Sequence, residues 1–590
     1  MQSRDANTKI VSEIMFRLLP MQILLQMVGA VNGIVSSFFA TNYIGIGAMS
    51  AVGVYAPIAM LIGAISIVFV GGSAILCGKY LGRNEHDKVQ NVFSLNMRIV
   101  LLLAASFTVL FLVLGLFDLT GFFTKDPAVR PLFNRYLLGQ VIGFAPLMLG
   151  NQLSNYLAIE RMDRRAITAG VVDILVNIVL NILFLPVLHM GVFGLALASS
   201  LGFWVFFAIQ AYAFLFGRAS LRFGRKIVDP SDSLRMFKVG LPGAASFGYQ
   251  TIRGIVVNHL MEAFVGSVAI SAFAAANNLL SIFWAVPIGM AAVSRLMIGI
   301  SIGEEDRQTL TDVMRVMFRR YMPLMCAISA CLILCAVPFT RLFFRDPAEA
   351  VYGMTVWGFR ILPLCMPLSL ITLHFICYAQ ASGKTGLVNL LAALDGVVCV
   401  AGFSALLIRS MGINGVYSAN VLNGIVCLVA VVAYSWRKIK HFPRNMEQLM
   451  VIPEDFGAEP DARLDLSVQS MDEVVTVSRQ VTEFCRRRGI DERRAFLASL
   501  CMEEMAGNIV EHGFTKDQKR HSIDIRVVHK DDSIILRIRD DCVPFDPQER
   551  KALTDPDDLM KNVGIRLVYK IATSVEYQNL LGLNVLTMRI

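Results

Sequence analysis

Leu19-Pro20, Gly33-Ile34-Val35 and Ala48-Met49-Ser50-Ala51 return later in the chain as Leu241-Pro242, Gly254-Ile255-Val256 and Ala269-Ile270-Ser271-Ala272. Asp126-Pro127-Ala128 returns as Asp346-Pro347-Ala348, and Gly191-x-x-Gly194 as Gly412-x-x-Gly415, every offset lying within one residue of 221. The repeated unit is made of apolar segments of about 20 residues, which read as membrane helices. Twelve fit, at about 16–40, 51–78, 93–117, 136–158, 166–188, 193–216, 238–262, 268–294, 320–339, 353–378, 386–408 and 414–436. Six spans repeated in the same order predict two six-helix bundles related by an axis along the membrane normal, with substrate near the midplane between them.

Composition agrees with a bilayer. Of 590 residues 55% are hydrophobic and 17% charged, with a mean hydropathy of +0.59, whereas soluble chains carry about 25% charged residues. The net charge of +9 resides in the membrane half, where basic residues mark inner loops rather than a nucleic-acid surface. Lys79, Arg83 and Lys88 follow the second span; Arg161, Arg164 and Arg165 the fourth; Arg218, Arg222, Arg225 and Lys226 the sixth; Arg437, Lys438 and Lys440 the twelfth. This alternation predicts both termini in the cytoplasm, and the chain is expected to reside in a bacterial-type cytoplasmic (inner) membrane. Arg130, Arg135, Arg341 and Arg345 fall outside by the same count and run against it. The eleven cysteines form no CxxC pair and read as small apolar residues. Met1 to Met15 is a short polar lead, so the first span is expected to act as the insertion signal. Pro57, Pro146, Pro242, Pro287 and Pro363 fall inside spans, where a freed backbone group lines a cavity or a kink aids packing.

Ionisable groups inside a span are costly and are functional candidates by default. Asp173 and Asp395 stand at equivalent repeat positions; Arg253, His259 and Glu262 lie in the seventh span. Interhelical structural pairing is the competing reading for each, and Glu262, near a span end, is the weakest candidate.

The membrane half resembles the multidrug and toxic compound extrusion (MATE) transporters. The resemblance rests on Leu19-Pro20, the short Tyr43-to-Ala51 turn, Asn177-Ile178-Val179-Leu180, Gly191-Val192-Phe193-Gly194-Leu195-Ala196-Leu197-Ala198, and the repeat itself. It implies export of organic cations or other amphipathic small molecules, driven by a proton or sodium gradient, by a protein in contact with membrane lipid. Three positions depart. Ser36 stands where many members carry a buried Asp in the first span, Asn181 replaces the Asp four residues after the fifth-span Asn, and the tenth span holds Arg360 and His374 but no carboxylate. The transport or coupling candidates are therefore Asp173, Asn177, Asn181, Asp395, Arg253 and Ser36.

Past the twelfth span the language changes. Residues 1–440 form the transporter-like part, in repeats of about 1–225 and 226–440. His441 to Ala462, with three prolines and no periodic apolar face, reads as a linker. Residues 463–590 read as a soluble domain: helices at Asp472–Arg488 and Asp491–Gly513, strands at Ser522–Val528 and Ser533–Ile538 joined by a Lys530-Asp531-Asp532 turn, an irregular stretch from Asp541 to Lys561, a helix from Val563 to about Ala572, and strands near Val575 and Val585. Helices followed by antiparallel strands predict an α/β sandwich. Glu504, Asn508 and His512, spaced by four, share one helix face. A carboxylate beside an amide suits hydroxyl activation next to an oxygen-bound Mg²⁺. Asp540 ends a strand, where it can accept from an adenine amine, and Gly564 opens a helix, where backbone N–H groups favour phosphate.

These boxes resemble the histidine-kinase-like ATPases, specifically the anti-sigma-factor serine kinase branch. The matching strings are Glu503-Glu504-Met505-Ala506-Gly507-Asn508-Ile509-Val510-Glu511-His512-Gly513, Asp540-Asp541-Cys542-Val543-Pro544-Phe545-Asp546-Pro547 and Asn562-Val563-Gly564-Ile565-Arg566-Leu567-Val568. The resemblance makes Glu504 the general base, Asn508 the ligand of a nucleotide-bound Mg²⁺, Asp540 and Asp541 part of the adenine site, and Gly564 and Arg566 part of the phosphate lid, with ATP and Mg²⁺ as cofactors. It also implies an anti-anti-sigma-like protein partner. Cys542 and Asn562 stand where the family has glycine, which puts turnover in doubt more than binding. Gly383-Lys384-Thr385 ends like a phosphate loop, but Tyr378 occupies its first glycine position, so it reads as a basic turn. Three readings remain open: an ion-driven exporter with a regulatory ATP-binding module, a receptor-like sensor controlling a serine kinase that acts on a partner-switch protein, or a degenerate C-terminal domain that binds nucleotide or protein without catalysis.

Overall fold

The computed structural model describes all residues except 1, 45, 84, 124–126, 128, 161, 218, 224–228, 345, 455, 459, 515–520, 522, 531, 544–546, 548–562 and 581–582. The first bundle comprises α1 (Gln2–Phe39), α2 (Ile46–Gly82), α3 (His86–Leu116), α4 (Arg130–Val141), α5 (Phe144–Ile159), α6 (Asp163–Ile182) and α7 (Gly191–Leu215). The second comprises α8 (Ser231–Phe264), α9 (Ser267–Gly303), α10 (Arg307–Val316), α11 (Met322–Leu334), α12 (Ala336–Arg341), α13 (Ala350–Ile361), α14 (Cys365–Ala381), α15 (Thr385–Ala393), α16 (Cys399–Met411) and α17 (Ile413–Ile439). Several spans are segmented. A π turn at Met317–Tyr321 joins α10 to α11, a 3₁₀ turn holding Pro363 joins α13 to α14, and a π turn at Leu394–Val398 joins α15 to α16.

Among the described residues ten helices are long and apolar enough to cross a membrane, or eleven if the pair 130–141 and 144–159, bent by 46°, is one span. Helix α8 occupies the seventh expected span without meeting that test; it carries Pro242, Arg253, His259 and Glu262. Pro57, Pro146 and Pro287 sit inside α2, α5 and α9.

The two bundles meet along α1 and α2 against α8 and α9, and glycine decides how closely. Gly78 faces Gly299: a Cβ on Gly78 would lie 3.0 Å from the Gly299 Cα. A Cβ on Gly82 would overlap the carbonyl of Ile300, and one on Gly303 would overlap that of Lys79. By the 221-residue repeat, Gly78 is the counterpart of Gly299, Gly82 of Gly303 and Lys79 of Ile300. The contact is therefore self-complementary about the internal axis, as an isologous interface is about a true two-fold.

The chain leaves α17 through α18 (Met446–Met450), whose N-terminus is capped by the Asn445 side chain accepting from the Gln448 N–H. The segment expected as a free linker is tied down. Lys384 Nζ donates to the carbonyls of Met450 (3.1 Å) and Val451 (2.9 Å), and Arg307 pairs with Glu447 at 2.9 Å. Met450 and Ile452 are also buried against the membrane domain, but so short a run leaves no apolar periodicity to read.

The C-terminal domain is a five-stranded antiparallel sheet, in the order β1-β2-β3-β5-β4, with β1 Arg463–Val468, β2 Ile523–Lys530, β3 Ser533–Asp540, β4 Ser574–Leu580 and β5 Leu583–Arg589. Helices α19 (Met471–Arg487), α20 (Glu492–Asn508) and α21 (Val563–Ile571) complete it. Alternation divides the sheet: Ile523, Ile525, Val527, Ile534, Leu536 and Ile538 join Val481, Met502 and Val568 in one core. Edge strand β1 was not expected, because its apolar side is only the short alternation Leu464, Leu466 and Val468.

Candidate functional site

In the first bundle a polar ladder crosses from α1 to α6 and α7. Asn32 Nδ2 donates to Asp173 Oδ2 at 2.8 Å. One turn further along both helices, Asn177 Nδ2 donates to Ser199 Oγ at 3.1 Å, and the Ser199 and Ser36 hydroxyls lie 3.4 Å apart. Asn181 then donates to the Asn177 side chain at 2.9 Å. All six residues are buried. Three of their oxygens, Asp173 Oδ1, Asn32 Oδ1 and Asn181 Oδ1, have no hydrogen-bond partner among the described residues. Buried acceptors left without donors are rare in folded proteins; oxygen-only donors of this kind suit a proton or a small hard cation.

The second bundle builds the equivalent place differently. Asp395 sits in the π turn between α15 and α16, half-buried. Asn423 Nδ2 donates to its carboxylate at 2.7 Å, and Arg253 Nη1 donates to its backbone carbonyl at 3.3 Å. Arg253 is the repeat counterpart of Asn32, and Asn423 that of Gly202, on which a Cβ would overlap Asp173 Oδ1. The two aspartates expected as equivalents thus have different neighbours: Asp395 has a guanidinium at hand, while Asp173 has only amides and hydroxyls. Sequence reading named Asp173, Asn177, Asn181 and Ser36 but missed Asn32 and Ser199. Their 221-residue relation to Arg253 and Asn420 was the available signal.

In the C-terminal domain Glu504 of α20 points at the start of α21, where its carboxylate lies against Gly564 so closely that any Cβ there would overlap it. Asn508 ends α20, one turn on from Glu504. The helix then changes to a π turn at Ile509–Gly513, so His512 leaves the α-helical spacing that was expected to align it with the other two. Asp540 ends β3, buried, with Oδ1 accepting from Asn584 Nδ2 (2.7 Å) and from the Cys542 N–H (3.0 Å). Burial pushes this carboxyl above its ordinary range, against the pull of those two donors. Asp541 pairs with His521 Nδ1 at 2.7 Å. Cys542 is buried against Gly513, whose Cβ, if it had one, would sit 3.1 Å from the thiol sulfur. Arg566 is half-buried on α21. Asn562 and most of the expected lid lie outside the described residues. The fold therefore brings Glu504 to Gly564 and Cys542 to Gly513, and places Asp540 at the strand end with Asn584 as a partner that sequence reading missed. An amide oxygen at Asn508 and a carboxylate at Glu504 fit a nucleotide-bound Mg²⁺ chemically.

The family model described as MatE matches residues 22–183 and 242–401, one stretch in each bundle. The chain belongs to the MatE family. A second model, the histidine kinase-like ATPase domain, matches residues 468–590, so this MatE protein carries such a domain at its C-terminal side. Relatives include the multidrug resistance protein NorM of Photobacterium profundum, 23% identical over 235 residues, which are 38% of this chain and 50% of that protein. NorM of Vibrio cholerae is 21% identical over 225 residues, 36% of this chain and 48% of that protein. The chain spans about half the length of these relatives. Among solved structures, a MATE in complex with MaL6 superposes with a TM-score of 0.67 at 21% identity, covering 74% of this chain and 97% of that one. An outward-facing multidrug resistance MATE family transporter of the MOP superfamily gives 0.67 at 20% identity, covering 74% and 96%. These likenesses establish the transporter fold of the MatE part.

Proposed function

We propose that this MatE protein is a twelve-span, ion-gradient-driven exporter of organic cations or other amphipathic small molecules, residing in a bacterial-type inner membrane with both termini in the cytoplasm. The observation that carries the reading is the buried ladder with Asp173 as its one carboxylate. A carboxylate that, among the described residues, is flanked by unpaired amide oxygens and no cation binds a proton or sodium ion in one state of the cycle and gives it up in another. Ser36 and Asn181 take the place of the family's usual acids, so the acidic function moves about two turns along α6 to Asp173, where Asn32 rather than a second carboxylate meets it. The named relatives NorM and the superposed multidrug resistance transporter support the substrate class. The C-terminal domain, in this reading, binds ATP with Mg²⁺ through Asp540, Asn508, Gly564 and Arg566, with Glu504 as base, and regulates the transporter. The test is uptake or release of a fluorescent lipophilic cation by proteoliposomes under an imposed proton or sodium gradient, with and without ATP. Flux that follows one gradient supports the exporter; its absence under both rejects it.

A second reading is favoured by the two missing acids and by the polar contacts that join the domains. In it the MatE fold senses a ligand and controls a serine kinase acting on an anti-anti-sigma-like partner. Ligand-dependent phosphoryl transfer to such a protein, without flux, would select it.

A further inference from the structure

The face of the sheet turned away from its helices is not given to solvent. On β2, Arg526 stands directly opposite Arg537 of β3, and Arg539 lies two residues further along the same face. Like charges opposite one another across two strands repel, yet Arg526 and Arg539 are only 7% and 6% exposed. What separates them is an acidic turn of the membrane domain, Glu304-Glu305-Asp306, between α9 and α10. Arg537 bonds Asp306 at 2.6 Å and Glu304 at 3.0 Å; Arg539 bonds Glu304 and reaches Asp306 at 3.2 Å; Arg526 bonds Asp306; and Lys530 pairs with Glu305 at 2.6 Å. Arg526 is further held by Asp465 of β1 at 2.5 Å.

The turn follows Gly303, at the end of the glycine seam where the bundles press together. The domain touches both sides of that seam. It is bound to the second bundle through the arginines and the tethered segment around α18, while β1 and β2 pack on α1 of the first bundle. A cavity of about 510 Å³ between the domains is walled by Gly82, Arg83 and Glu85 from the first bundle and by Arg307 from the second.

We propose that the C-terminal domain is a releasable strap across the seam: with Arg526, Arg537 and Arg539 seated on Glu304 and Asp306, it holds the two bundles closed at this end. Separating the bundles here pulls α1 and Gly82–Glu85 away from a domain that is fixed to the other bundle. The same strand carries the clasp and the nucleotide site, since Arg539 and Asp540 are neighbours on opposite faces of β3, so ligand at Asp540 acts on the clasp through one rigid element. This deepens the regulatory part of the proposed function and rests on it.

The experiment uses the full chain in nanodiscs, with Cys326, Cys331 and Cys335 replaced by Ser and spin labels at Asp87 on the first bundle and Arg437 on the second, both exposed. Pulsed dipolar spectroscopy reads the distance between them. The parent chain gives one short distance. Glu304→Arg, and separately Arg539→Glu, add a longer distance and raise its population about tenfold, within the range of typical coupling between sites. The charge-swapped pair Glu304→Arg with Arg539→Glu restores the contact between these two positions but sets like charges against Arg537 and Asp306, so it returns part of the short-distance population, which separates a lost clasp from a misfolded domain. Distances unchanged in both single variants overturn the strap, as does a swap with no more of the short distance than either single variant. Neither substrate nor gradient is needed, so a failed strap and a failed exporter give different results.

Discussion

Asp173 and Asp395 show how one repeat position acquires two environments. Both are aspartates in the middle of apolar segments, but Asn32 faces one and Arg253 the other. Replacing Asp173 by Asn removes the sole charge from a ladder in which three oxygens lack donors among the described residues, so gradient-driven flux is expected to fall by at least tenfold while insertion stays normal. Asp395→Asn keeps the geometry to Asn423 and is expected to cost severalfold at most; equal losses in the flux assay would reject the distinction. In the proposed nucleotide site the roles divide in another way. Glu504→Gln is expected to leave ATP affinity within about twofold and to slow turnover. Asp540→Asn trades an acceptor for a donor toward adenine, and one charge-assisted hydrogen bond is worth about 1.5–3 kcal/mol, tenfold or more in affinity. Calorimetry with ATP and Mg²⁺ on the full chain checks both. Asp540, Glu504, Asn508 and Gly564 could be singled out in the sequence because the family's strings hold those residue types in that order, and the proposed nucleotide chemistry would use them so. Asn584 was not, because a strand asparagine acquires meaning only when β5 is laid beside β3.

At the level of elements, the glycine seam is where sequence and packing meet most directly. Gly82 and Gly303 each face a carbonyl from the opposite bundle, with no space for a Cβ. Alanine at either position forces the helix ends apart, and overpacking of this kind costs about 1–3 kcal/mol. Gly303→Ala and Gly82→Ala are therefore expected to shift the Asp87–Arg437 distance toward the longer population, the pair together more than either alone. A double variant that behaves as the parent would show that the seam is not what holds this end closed. The repeat was readable from Leu19-Pro20 onward, and each expected span has a helix at its place. Hidden from sequence were the breaks: the π turns at Leu394–Val398 and Ile509–Gly513 contain no proline, so nothing local announces them. They arise where the helix must turn a side chain such as Asp395 toward a neighbour on another helix.

For the whole molecule, the clasp fixes how the two domains respond to solution conditions. Burial raises the Asp306 carboxyl, but Arg526, Arg537 and Arg539 outweigh it and hold the group well below the ordinary carboxylate range. An acid with a depressed pKa in the folded state contributes stability above its unfolded pKa and loses it only as pH falls through the lower, folded value. The docked arrangement is accordingly expected to persist unchanged across about pH 5 to 8 and to fail only in stronger acid. Labels at Asp87 and Glu483 should report a constant distance over that interval, and a transition near neutrality would point to another titrating group. Removing one partner of so buried a pair costs about 3–5 kcal/mol, so Asp306→Asn should also lower the thermal stability of the docked chain. Sequence alone determined the membrane-spanning class, the doubled architecture and the ATPase-type domain, because hydropathy, repeat spacing and nucleotide chemistry are properties of short stretches. Only the tertiary structure decided which aspartate meets an asparagine and which an arginine, which face of the sheet is covered, and that the connecting segment is tethered. Those depend on residues hundreds of positions apart, such as Glu304 and Arg539, whose charges look like ordinary solvent-facing ones until the fold removes the water between them.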